Sequence, residues 1–323
     1  MEKRSSKVQQ ILLMTATFLL LSLSSLHAAY NGECWVVSNG DTIYKLNSDG
    51  LADPTIIPGL TQAQAAVVNP KDGTVWIAVS AANAVFRFDP ETVDFKQIPN
   101  INQPHSVAIN PNDNSVWIGG LDIVQKVSAD GTQILATISG VYEPEVAVNV
   151  ADGTCWVTDS RGKIARYGHD GTAIAVSSVQ LKEPKYVTVN SKTGNAWVAD
   201  PQASILVKLS ASGQEMLRIT DIKQPTSPRV NEQDGSLWIV SESSSLIKLS
   251  ASGQKIIENP EAGIAILSIS VNSQDGSVWV ADQFGETFQS GGEVSKYTAT
   301  GQKLFGNHIP MPSYVSVGHW PGQ

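Results

Sequence analysis

From residue 34 onward the chain alternates apolar and polar residues in short runs, and no segment keeps the apolar spacing of a long helix. One stretch shows the unit. It reads Pro104-His105-Ser106-Val107-Ala108-Ile109-Asn110, a polar turn over 111–115, then Val116-Trp117-Ile118. It continues through Val124-Gln125-Lys126-Val127, a turn at Asp130-Gly131, and Ile134-Leu135-Ala136-Thr137-Ile138. These runs predict four strands, A to D, joined by tight turns. The pairs Asp72-Gly73, Asp152-Gly153, Asp234-Gly235 and Asp275-Gly276 precede the Trp-bearing strand B, where they supply the positive φ of a tight hairpin.

Tryptophan marks the period. Trp35, Trp76, Trp117, Trp156, Trp197, Trp238 and Trp279 are spaced 41, 41, 39, 41, 41 and 41 residues apart. A period near 40 holding four short strands predicts a propeller blade, with an open solenoid as the alternative. The ends favour a ring. The first unit begins at Cys34-Trp35 without a strand A, and Pro312-Ser313-Tyr314-Val315-Ser316-Val317 forms a strand A without a strand B after it. Pairing them removes two exposed edges. The expected fold is therefore an all-β, seven-bladed propeller with four-stranded blades, closed by a C-terminal strand that completes the first blade. Trp320 also falls 41 residues after Trp279, but it lies past a strand A and opens no further blade.

The run Asn272-Ser273-Gln274-Asp275-Gly276-Ser277-Val278-Trp279-Val280-Ala281-Asp282 resembles the NHL and streptogramin-lyase-like, YVTN-type, propeller repeats. The resemblance covers nearly all of residues 34–317 and implies the same ring. It implies no single activity, because such repeats serve lyases, lactonases and binding proteins alike. Streptogramin lyases use a His base with a Glu. No local motif here reproduces their catalytic segment, so no residue is carried over.

The N-terminus changes the expected location. Lys3, Arg4 and Lys7 precede an apolar stretch from Ile11 to Leu26, and Leu26-His27-Ala28 resembles a cleavage site. Residues 1–28 thus read as a signal peptide, with 29–323 as a single propeller domain in the periplasm or outside the cell. The alternative is an uncleaved anchor, for which the apolar stretch is short. After cleavage no membrane span is expected. Loss of Glu2 and three bases leaves 29 acidic and 19 basic residues, a net charge of −10. Such a surface opposes a phosphate backbone, so no nucleic-acid partner is expected.

Candidate chemistry is sparse. The repeated tryptophans read as inter-blade core. The bases that recur on strand C (Lys45, Arg87, Lys126, Arg166, Lys208, Lys248, Lys296) read as packed stems with paired or solvated tips. Cys34 and Cys155 take the same repeat position in blades one and four, too far apart for a disulfide, and none is expected. Asp159, Asp200 and Asp282 stand three residues after their tryptophans. They either bind Ca²⁺ or Mg²⁺ or hydrogen-bond the following turn, and the repeat favours the turn. No other cofactor is expected.

The positions that break the repeat carry the functional expectation. The residues where strand D leads into the next strand A differ from blade to blade: Gln64, His105, Glu145, Lys185, Tyr186, Thr226, Arg229 and Tyr314. They are expected on the face around the central channel, as a ligand pocket or as solvent-exposed drift. A seven-residue insertion in the last blade, near Phe284, Glu286 and Phe288, reads as a lid or partner contact, or as a tolerated insertion. His105 with Glu145 is the one acid–base pair to nominate, with Lys185 and Arg229 beside it. No catalytic signature of known form occurs. The leading expectation is a non-catalytic binding or scaffold subunit of a larger extracytoplasmic complex, engaging a protein or small ligand on the channel face. The alternatives are a lyase- or lactonase-type enzyme at the channel mouth and a purely structural surface protein.

Overall fold

The computed structural model of the chain describes residues 32–38, 42–285 and 291–318. They form seven four-stranded antiparallel sheets, each pairing strands A to D in order. The signal segment, Glu286, Phe288 and Trp320 lie outside the described residues. Blade one takes strand A from the far end of the chain. Pro312–Val317 pairs with Cys34–Ser38, with Val315 opposite Val36 and Ser316 opposite Trp35. The ring therefore closes as expected.

The core sits between blades. Seven apolar clusters each join one blade to the next. Trp76, for example, packs with Ile98 and Ile101 of its own blade and with Val107, Val116 and Ile118 of the next. Trp279 does the same against Cys34, Val36, Leu46 and Val315, so the closing interface is built like the others. All seven repeat tryptophans are buried.

Each Trp lies directly opposite the strand C base in the sheet register. In five blades a Lys ammonium sits 5.3–6.0 Å from the indole centroid. Lys45 and Lys126 pair with carboxylates of their own blades, and the other three tips reach across to the neighbouring blade. Lys208 Nζ donates to the Ala251 carbonyl (2.7 Å), Lys248 to Ala299 (2.9 Å), and Lys296 to Ser48 (3.1 Å). A long stem covers the aromatic ring while the charge meets a turn carbonyl or a carboxylate, which explains why a base recurs there.

A second set of inter-blade bonds runs where strand A turns into strand B. Six strands A end in a buried Asn whose Oδ1 caps its own turn, as in Asn69 to the Lys71 amide (3.0 Å) and Asn231 to the Gln233 amide (3.0 Å). The amide nitrogen of Asn231 faces Gly276 of the next turn, where φ is +70° and a Cβ would come to 3.3 Å. Blade three has Asn114 at the glycine position, also at positive φ (57°), and its Oδ1 accepts from Asn69 Nδ2 (3.1 Å). Glycine or asparagine is needed there because other side chains resist this backbone. Cys34 and Cys155 are free and buried.

Candidate functional site

Strand A lines the central channel, and its register sorts the lining into two rings. Opposite each Trp stand Val67, Ala108, Ala147, Thr188, Arg229, Ser270 and Ser316. This lower ring is small everywhere except at Arg229. Two residues nearer the channel mouth stand Ala65, Ser106, Glu145, Tyr186, Ser268 and Tyr314. Small residues again alternate with a few large polar ones. The asymmetry of the channel therefore comes from four side chains: Glu145, Tyr186, Arg229 and Tyr314.

Arg229 is aimed by a backbone irregularity. Strand A of blade six (Thr226–Val230) pairs Thr226 with Val240 and Arg229 with Trp238, so Ser227 and Pro228 together occupy the space of one residue. Ser227 lies at φ 49°, and its hydroxyl donates to the Leu267 carbonyl (3.1 Å). Such a bulge re-aims the side chain that follows it.

Above the rings opens a funnel of about 540 Å³. Gln64, His105, Glu145, Lys185, Tyr186, Arg229 and Tyr314 all line it, as the sequence places them. Thr226 and Phe284 do not line it; the Phe284 amide instead donates to Asp282 (3.3 Å). Sequence reasoning missed the contributions of the loops between strands B and C: Ser80, Leu121 and Ser160. Their small or neutral side chains gave no signal. A second space of about 250 Å³, lined by the lower ring, continues below, and Glu145, Arg229 and Tyr314 line both. These three mark the boundary between the polar mouth and the lower channel.

The charges there are held apart. Among the described residues, no carboxylate lies within 4.0 Å of the Arg229 guanidinium and no cation within 4.0 Å of the Glu145 carboxyl. Arg229 donates to the Pro228 carbonyl (2.9 Å), and its charge acts on the Tyr314 phenol. Burial pushes the Glu145 carboxyl above the usual carboxylate range, against the lowering influence of His105, Arg229 and the Ser106 hydroxyl. Burial also raises the phenols of Tyr186 and Tyr314, and the Glu145 charge adds to this.

The other nominated groups are occupied. His105 directs Nε2 at the Pro144 carbonyl (3.0 Å) and Nδ1 at the Gln103 carbonyl (3.2 Å), so whichever nitrogen carries the proton has a backbone acceptor beside it. Lys185 is raised by its hydrogen bond to Glu183, whose carboxylate lies 2.7 Å away.

The three aspartates weighed between a metal and a turn role lie on different blades and close local loops. Asp200 accepts from the amides of Lys182 (2.6 Å), Glu183 (2.9 Å) and Ala203 (2.9 Å). Asp282 accepts from Ile264 and Ala265, both at 2.9 Å. Asp159 is clasped by Arg161, whose hydrogen bonds and charge outweigh the burial that opposes ionisation and hold the carboxyl below its usual range. Asp159 thus holds Arg161 of the turn that follows it, while Asp200 and Asp282 bond both that turn and the loop leading into strand A. Among the described residues, no three His, Cys, Asp or Glu side chains group as a metal site.

No protein-family model matches the sequence, and no curated protein matches it. Among solved structures, the chain is similar to a functionally unknown protein from Desulfotomaculum acetoxidans DSM 771. The TM-score is 0.73 at 13% identity, over 89% of this chain and 99% of that one. At that identity the likeness concerns the fold alone. Since 1588 solved chains resemble this one, the shape selects no activity.

Proposed function

We propose that this chain is an extracytoplasmic, non-catalytic binding protein of the NHL-like propeller type that takes a small polar ligand in its channel mouth. The observation that carries the reading is the break in an otherwise small-residue lining. Glu145, Tyr186, Arg229 and Tyr314 interrupt it on blades that otherwise repeat the same pattern. Ligand sites are concave, partly apolar and furnished with a few convergent polar groups, and the funnel has that form. The orientation of both His105 nitrogens toward backbone carbonyls and the pairing of Lys185 support binding over turnover. The N-terminal pattern of Lys3, Arg4, Lys7 and the apolar run to Leu26 supports export.

A scaffold role has its own support. Blades three to seven each expose one large apolar residue three positions after the strand D turn glycine: Ile134, Ile174, Met216, Ile256 and Leu304. Their regular placement around the rim suits a protein partner. An enzyme of the lyase or lactonase type would draw its proton-transfer group from the two funnel carboxylates, Glu143 and Glu145.

The test is a thermal-shift and calorimetric screen of small polar metabolites on the full chain and on Tyr186→Ala. Binding by the full chain, weakened at least about tenfold by the substitution, supports the reading. Ligands that bind both forms equally, or no ligand at all, overturn it. Product formation from a lactone or depsipeptide, lost in Glu145→Gln, would establish the enzyme instead.

A further inference from the structure

We infer that the ligand is a small zwitterion of amino-acid or dipeptide type, its carboxylate set toward Arg229 and its ammonium toward Glu145. This rests on the binding reading above and narrows it to one charge pattern.

Opposite charges in a channel gain by closing on each other, since the local dielectric is low. Arg229 and Glu145 feel each other, yet more than 4.0 Å separates them. Each is fixed by its own strand. Arg229 is anchored in the lower ring opposite Trp238, behind the bulge at Ser227 and Pro228. Glu145 stands in the upper ring, two blades away, with the Thr158 amide donating to its carbonyl (3.0 Å). The strands hold the pair open.

Unused hydrogen-bonding capacity remains on both. A guanidinium carries five N–H donors, and Arg229 engages the Pro228 carbonyl with one of them. An ionised carboxylate offers about four acceptor sites, and the neighbouring Ser106 hydroxyl can fill at most one of those on Glu145. A molecule that spans the gap with a carboxylate at one end and an ammonium at the other satisfies both. A simple anion meets Arg229 but leaves Glu145 facing a like charge. A simple cation does the reverse. The open pair therefore rejects singly charged ligands as well as attracting doubly charged ones. Tyr186 and Tyr314 give the ligand aromatic walls.

The experiment is isothermal titration of the full chain with L-amino acids and Ala-Ala. N-acetylated and C-amidated derivatives and a neutral monosaccharide serve as controls. At least one zwitterion is expected to bind, and blocking either end is expected to weaken it about tenfold or more. Glu145→Gln should weaken the zwitterion without weakening its N-acetyl derivative, and Arg229→Gln should spare the amide in the same way. Arg229→Lys keeps the charge and guards against misfolding as the cause; a thermal melt checks each variant. An N-acetyl or neutral ligand that binds as tightly as any zwitterion, and loses affinity in Tyr186→Ala, overturns the zwitterion while leaving the binding reading intact. Failure of every ligand, including the polar metabolites, overturns both.

Discussion

Val36 and Val315 face each other in adjacent strands although they stand near opposite ends of the chain. Both are buried in the cluster around Trp279, which belongs to the neighbouring blade. Ring closure therefore uses the same apolar packing as the other interfaces. Val315→Ala is expected to cost about 2 kcal/mol, as large-to-small changes in a packed core do. Val176→Ala, on a side chain 67% exposed, should cost less than about 0.5 kcal/mol. Urea denaturation of both variants checks this, and equal costs would mean that the terminal strand is dispensable.

The Lys248 stem lies on Trp238 with its ammonium 5.3 Å from the ring centroid, and its tip bonds the Ala299 carbonyl across the blade boundary. Lys248→Ala loses stem, charge and hydrogen bond, and about 2 kcal/mol is expected. Lys248→Met keeps most of the stem and should lose roughly half as much. The ratio of the two losses, measured by denaturation, separates packing from charge.

How much of this was legible beforehand follows from what repeats. The Trp period, the Asp-Gly turns and the two incomplete end units are local patterns, and they specify strands, blade count and closure. Glu145, Tyr186, Arg229 and Tyr314 were legible as deviations from the repeat. Their directions were not. The two-residue bulge at Ser227-Pro228 that aims Arg229 depends on the facing strand, which no local pattern reports. The capture of His105 by the Pro144 and Gln103 carbonyls likewise arises from loop geometry. Ser80, Leu121 and Ser160 join the funnel only because the ring brings their loops inward.

Asp200 accepts three backbone amides and is fully buried. Removing the carboxylate in Asp200→Ala strands those donors, and a loss of about 3 kcal/mol is expected. With the carboxylates so occupied, 10 mM Ca²⁺ or an excess of EDTA should leave the melting temperature of the full chain unchanged. A calcium-dependent rise that disappears in Asp200→Asn would restore the metal role.

Burial raises the thiols of Cys34 and Cys155 and removes them from solvent. Thiolate is the reactive form, so native protein should resist alkylation by iodoacetamide at pH 8. Both residues should label once the ring is unfolded in guanidinium. Rapid labelling of either in the folded state would contradict the packing around Trp279 or Trp117.

Glu145 links stability to the proposed binding. Its carboxyl is raised in the folded state by burial, so the folded protein holds the proton more tightly than the unfolded chain. The stabilisation from that proton is fully present below the unfolded carboxyl range and is lost as pH rises through the folded value. At neutral pH the ionised group is a net cost. Glu145→Gln removes that cost and should raise the melting temperature by a few degrees at pH 7, with the gain shrinking as pH falls toward 4. Around it, His105 and Arg229 favour the ionised form, while Tyr186 and Tyr314 remain neutral across this window. Ligand affinity should run the other way. The ammonium of a zwitterion needs the ionised carboxylate, so binding should weaken as pH drops through the raised carboxyl range. A variant that is more stable yet binds less well is the signature of a charge kept for the ligand. Glu145→Gln melting at or below the wild-type temperature at pH 7 would show that the carboxylate is already satisfied by the protein itself.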